Sequence, residues 1–139
     1  MIAPEINRQA FILYTLAEAG QGNPSATVQL FDARQRLDTY ARAYLALAFA
    51  LLNPGDDTRV RTLLSDINNA ALLSATGAHW EEQAPDWRNM NTDTRSTAVV
   101  LDVLARLDPQ NDLIPNVVRW LMVARKARAW ETTQETAWA

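Results

Sequence analysis

The chain alternates between amphipathic segments and short breakers, and no other feature of the sequence constrains its fold as strongly. In the first segment the apolar side chains recur every three or four residues, as one helical face requires, at Ile6, Ala10, Leu13 and Ala17. Breakers rich in Gly, Asn and Pro follow at 20–24 and 53–55. Spacing and breakers together predict helices over about 4–19, 24–37, 39–52, 58–68, 93–107 and 115–126. We therefore expect an all-α fold.

Two stretches refine this expectation. Ala43–Leu52 (AYLALAFALL) is apolar on most of a helix circumference, which predicts a central, buried helix that is too short to span a membrane. Ala70–Glu82 (AALLSATGAHWEE) has an apolar run and a Thr-Gly turn, so a loop or short β-hairpin is expected near 70–90. Short connections between the helices favour stacked antiparallel pairs.

Composition excludes several classes of function. The 139 residues are enough for one ordinary domain over 1–139, with 48% hydrophobic residues and a net charge of −3. This mild acidic balance argues against nucleic acid as a partner. Without Cys and with a single His, the chain lacks the usual ligands of a zinc site, and four Gly cannot assemble a phosphate loop. We expect no metal and no cofactor.

The polar cluster with most chemical interest surrounds His79, the only His in the chain. Glu81 and Glu82 follow it closely, with Trp80 between. A His near carboxylates can carry a proton because its charged form is stabilised. The same residues also fit a solvent-facing loop in which a His-Trp pair packs on a helix end. No G-x-S-x-G motif or second base accompanies the cluster, so nucleophilic catalysis is not expected.

The C-terminal residues form a second pattern. Thr132 and Glu135 have the spacing of a capping box, which predicts the start of a helix. Trp130, Gln134 and Trp138 are four residues apart, and a Gln flanked by aromatic side chains can tie successive helix pairs together. Since the sequence stops within the first turns of this helix, we expect the chain to be a fragment of a longer protein.

Four runs follow one another along the second half of the chain: GAHWEEQAP (Gly77–Pro85), DTRSTAVVLDVLARLDP (Asp93–Pro109), VVRWLMVARK (Val117–Lys126) and TTQETAWA (Thr132–Ala139). Together they resemble the thioester domain of alpha-2-macroglobulin and complement proteins, and most closely its bacterial branch. TTQETAWA is similar to the S-T-Q-[DE]-T motif of that domain, VVRWLMVARK to the helix before it, and the two earlier runs to the preceding helix and its aromatic-acidic loop. The resemblance covers about 76–139 in the correct order, while 1–75 fit only as generic helix pairs.

The resemblance implies a partial α/α toroid of the terpenoid-cyclase type, in which a Cys-Gln thioester traps proteases by acylation. This chain has no Cys, so it would support and shield a thioester located elsewhere, or belong to a thioester-less relative. Candidate residues lining the thioester pocket are His79, Trp80, Glu81 and Trp87, and His79 is also a candidate acyl relay. Trp130, Gln134 and Trp138 would pack the helix junction.

The resemblance further implies an inhibitor, not an enzyme, that is extracellular or periplasmic. Its partners would be target proteases and other macroglobulin domains of the parent. An enzyme on the same architecture would need an Asp-rich motif or a zinc site, and neither is present in the sequence. A helical scaffold for protein-protein interaction stays open as an alternative. Half a toroid would leave an apolar stripe uncovered, so self-association through 43–52 or 120–138 is also expected.

Overall fold

A computed structural model of the chain describes residues 2–128, and the chain divides into two compact units between Asn69 and Ala70. The described residues form six α-helices, two short strands and two 3₁₀ turns. The predictions of an all-α fold and of a hairpin near 70–90 are confirmed. The toroid and the single domain over 1–139 stay predictions. The predicted helix from Thr132 and the junction of Trp130, Gln134 and Trp138 lie outside the described residues.

The first unit contains four helices, namely α1 (Ala3–Glu18), α2 (Pro24–Asp32), α3 (Thr39–Leu52) and α4 (Thr58–Ala70). The start of α2 follows from its sequence, since Asn23 accepts a hydrogen bond from the Ala26 N–H at 3.1 Å and Pro24 occupies the first helical position. Helix α1 packs most extensively on α3.

Helix α3 is the centre of this unit, as its apolar circumference predicts. Ten of its residues are buried, and the Tyr44 ring packs against Phe11 and Tyr14 at centroid distances of 5.2 and 5.8 Å. The run from Ala43 to Phe49 is covered, and Leu51 is the large apolar side chain of α3 that stays exposed. Residues 43–49 of the segment expected to self-associate are therefore buried within the chain itself, and self-association through 120–138 stays a prediction.

Helix α2 ends earlier than the sequence predicted. It stops at Asp32, and a 3₁₀ turn over Arg34–Arg36 replaces the expected continuation to residue 37. The Arg34 carbonyl accepts a hydrogen bond from Arg42 Nε at 3.0 Å, and Leu37 is extended and buried. The packing of Leu37 and the hydrogen bond from Arg42 therefore favour the 3₁₀ turn over the helical continuation that the local sequence predicts.

Two carboxylates lie just before helix starts, Asp38 at α3 and Asp56 at α4. Asp38 precedes α3, but its side chain accepts from Asn7 Nδ2 at 2.9 Å and does not cap the helix. At α4 the Thr58 N–H donates to Asp56 Oδ1 at 3.2 Å. Hydrogen bonds from the Thr58 backbone and hydroxyl hold the pKa of Asp56 below its ordinary value of 3.8.

The second unit combines a hairpin with two helices. Strands β1 (Leu72–Ser74) and β2 (Gly77–His79) pair antiparallel, and a 3₁₀ turn over Trp87–Asn89 precedes α5 (Asp93–Leu107) and α6 (Ile114–Arg128). Strand β2 packs on both helices, which also pack on each other. The predicted bounds of α5 are confirmed, and its inner face is fully buried at Val99, Val100, Val103 and Leu104.

Candidate functional site

Strand β2 approaches α6 so closely that only Gly fits at its start. A Cβ on Gly77 would overlap the Asn116 carbonyl oxygen and lie 2.9 Å from the Trp120 backbone nitrogen. The φ of Gly77 is +132°, in the region that side-chain-bearing residues rarely adopt. This close approach brings the last residue of the strand, His79, over the side chain of Trp120.

The His79 ring is fixed from two sides. It stacks on the Trp120 ring at a centroid distance of 4.5 Å and an interplanar angle of 3°. Its Nε2 lies 3.0 Å from Glu81 Oε1, and the His79 side chain is 14% exposed against 55% for Glu81. A carboxylate can only accept a hydrogen bond, so Nε2 donates. The buried Nδ1 has no hydrogen-bond partner among residues 2–128.

This geometry limits what His79 can do chemically. A proton carrier must present one ring nitrogen to the reacting group. Since Nδ1 is buried, Nε2 is the nitrogen that could act, and it would exchange Glu81 for another partner. The structure therefore brings together two of the predicted residues, His79 and Glu81, as an oriented His-carboxylate pair.

The other two predicted residues lie in different environments. Trp80 is completely buried and is the largest side chain in the core. Trp87, on the 3₁₀ turn, is 78% exposed. Because successive side chains of an extended segment point to opposite sides, His79 and Glu81 share one side and Trp80 enters the core on the other. The role of these residues in lining a thioester pocket stays a prediction.

The first turns of α5 hold the segment around Glu81 in place. Thr97 Oγ1 accepts the Trp80 N–H at 3.1 Å and donates to the Trp80 carbonyl at 3.3 Å. Two residues along the loop, Glu82 donates its N–H to Asp93 at 3.0 Å, and its carboxylate accepts from Ser96 Oγ at 2.8 Å. The backbone is thus anchored on both sides of Glu81.

A buried polar network extends this anchor. Asn91 donates to Ser96 Oγ at 2.8 Å and accepts from Arg95 at 2.9 Å. Asp86, which is 2% exposed, accepts from the Asn89 side chain at 2.8 Å. Sequence reasoning missed these residues. The available indication was a run of polar residues, Asp93–Thr97, at the start of a helix whose remaining inner face is apolar.

Removing the Thr97 hydroxyl tests how much this anchor contributes to stability. Thr97→Val keeps the shape of the side chain but removes both hydrogen bonds to Trp80, so we expect the free energy of unfolding to fall by about 2 kcal/mol. Thr97→Ser keeps the hydroxyl and should cost clearly less. Urea unfolding followed by Trp fluorescence measures both variants. Equal losses would mean that the hydroxyl contributes nothing.

The first unit contains an open groove of about 450 Å³, and none of the predicted site residues lines it. Its lining residues are Phe31, Arg34, Asp56, Thr58, Arg59 and Thr62. Residues 2–128 contain no group of three or more His, Cys, Asp or Glu side chains placed to hold a metal ion. None of their helices has both the length and the hydrophobicity needed to cross a membrane.

Comparison of the chain with protein-family models, curated proteins and solved structures gives no match.

Proposed function

We propose that the chain is part of a broad-spectrum protease-trapping inhibitor of the alpha-2-macroglobulin type, and that it supports and shields a thioester whose Cys lies outside it. The observation that carries this proposal is the ordered resemblance over about 76–139, from the loop at Gly77–Pro85 through the helix at Asp93–Pro109 to the Thr132–Ala139 motif. The chain itself would have no enzymatic activity.

The geometry of the loop supports this role. A cover over an activated acyl group must hold its shape, because water that reaches the group hydrolyses it. The loop is fixed on α5 through Thr97, Asp93 and Ser96, while Trp87 and the Glu81 carboxylate face outward. A rigid backbone with an exposed aromatic side chain is what such a cover requires.

The proposal also implies where the protein is located and which partners it contacts. The parent would be extracellular or periplasmic, where it would meet its target proteases, and its other macroglobulin domains would contact this chain. Trp130, Gln134 and Trp138 would pack the junction between successive helix pairs. No nucleic acid partner is expected, because the chain carries a net charge of −3.

Treating the freshly folded, full-length parent with methylamine tests the proposal. The amine nitrogen forms an amide with the acyl carbon, the carbon–sulfur bond breaks, and a thiol is released. We expect the intact mass to increase by one methylamine and one new thiol to become titratable. A parent blocked beforehand with hydroxylamine is the control and should gain nothing further. If fresh parent shows neither change, the thioester proposal is wrong.

A helical scaffold for protein-protein interaction is the second candidate function. It is favoured by the apolar stripe on α6, where Val118 and Met122, one turn apart, are 44% and 45% exposed. A scaffold needs no acyl chemistry, so a parent that is inert to methylamine would favour it. His79 and Glu81 would then have a structural role only.

A further inference from the structure

Strand β1 presents an open edge in the second unit. Within residues 2–128 the sheet has two strands, so β1 pairs with β2 alone. All three residues of β1 are exposed, and Leu73 at its centre is 71% exposed. Leu72 beside it is 42% exposed. An apolar strand with one unpaired side is a template for pairing with another strand.

The register of the hairpin identifies which backbone groups are free to pair. Ser74 pairs with Gly77 across a two-residue loop, Leu73 with Ala78, and Leu72 with His79. The pair that closes a two-residue loop exchanges hydrogen bonds, and such pairs alternate with non-hydrogen-bonded ones. The N–H and C=O of Leu73 therefore point away from β2, toward the open edge.

The sequence around this edge carries no charge and no proline that would oppose strand pairing. From Ile67 to Ala78 there is no charged residue and no proline. Edge strands that must stay single usually carry Lys, Pro or an inward-pointing charge. Two copies of this strand meet without charge repulsion, and the strand is self-complementary when it pairs antiparallel about its central residue.

We propose that β1 pairs antiparallel with β1 of a second copy of the chain, so that the two hairpins form one four-stranded sheet. Leu73 of each copy lies opposite Leu73 of the other, and the two residues exchange both N–H···O bonds. The contact is isologous and closes as a dimer. This inference is independent of the proposed function, since it needs neither a thioester nor the longer parent.

Cross-linking of the 139-residue chain tests this register, because the chain has no Cys of its own. Directly opposed residues of a hydrogen-bonded antiparallel pair have Cα atoms about 5.5 Å apart, which a disulfide can bridge. Under mild oxidation we expect Leu73→Cys to form a covalent dimer at least about tenfold faster than Leu51→Cys, since pairing raises the local thiol concentration. Leu51 is a matched control, being an exposed Leu (47%) outside the hairpin.

Sedimentation equilibrium gives a second measurement that does not depend on a thiol. The wild-type chain should show a monomer-dimer equilibrium, and Leu73→Lys should shift it to monomer because two like charges would face each other. Leu16→Lys, at an exposed Leu of α1 (38%), should leave the dimer fraction unchanged. Circular dichroism verifies the fold of each variant. Equal cross-linking of the two Cys variants, or an unchanged dimer fraction in Leu73→Lys, would overturn the proposal.

Discussion

Gly77→Ala is expected to lower the free energy of unfolding of the second unit by about 4 kcal/mol, the sum of a backbone cost and a packing cost. The new Cβ would meet the Asn116 carbonyl oxygen and the Trp120 backbone nitrogen, and neither can move without displacing α6. The positive φ of +132° adds strain for any residue with a side chain. The substitution should also separate His79 from Trp120.

Alanine substitutions at two other glycines distinguish the backbone cost from the packing cost. Gly20 has a φ of +76° but nothing within 4 Å of a hypothetical Cβ, so Gly20→Ala should cost only the backbone strain, about 1 kcal/mol. Gly55 has open space and no positive φ, so Gly55→Ala should be neutral or stabilise by up to about 1 kcal/mol.

Spectroscopy can follow the Gly77 variant selectively. All five Trp lie between residues 80 and 138, so Trp fluorescence reports on the second unit during urea unfolding. Far-UV circular dichroism reports on all helices and serves for the Gly20 and Gly55 variants. If Gly77→Ala costs no more than Gly20→Ala, the close contact between β2 and α6 does not exist.

The helix bounds were predictable where local and tertiary preferences agree. Helix α5 was predicted over 93–107 and occupies those residues, because Thr92 caps it by accepting the Arg95 N–H and its apolar face repeats at helical spacing. The end of α2 was not predictable, since it depends on the bond between Arg34 and Arg42 and on burial of Leu37. These contacts link parts of the chain that a local pattern does not connect.

In the candidate site, too, some contacts could be predicted from the sequence and others could not. Two residues apart in an extended segment, His79 and Glu81 lie on one side, so their pairing is a local property of the sequence. The stacking of His79 on Trp120 and the bond from Trp80 to Thr97 join residues far apart in the chain. Both follow from how the hairpin packs on α5 and α6, which residue types and spacing do not specify.

Trp80→Ala should be as damaging as the Gly77 substitution, although Trp80 is a candidate pocket residue like the exposed Trp87. Trp80 is fully buried, so its removal leaves a large cavity and should cost about 4 kcal/mol. Trp80→Phe keeps most of the packing and should cost less than half of this. Trp87→Ala, at a side chain that is 78% exposed, should stay within about 0.5 kcal/mol. Urea unfolding followed by circular dichroism measures all three variants.

The same pair of tryptophans separates a structural role from a role in covering the thioester. In the full-length parent, Trp87→Ala should leave the fold intact but accelerate spontaneous loss of methylamine reactivity, because water would reach the acyl group more easily. Leu73→Ala, at another exposed side chain of the second unit, is the matched control and should leave that rate unchanged. If Trp87→Ala also leaves the rate unchanged in a parent that reacts with methylamine, this turn does not cover the thioester. The anchor that Thr97 forms with Trp80 would then serve the stability of the second unit alone.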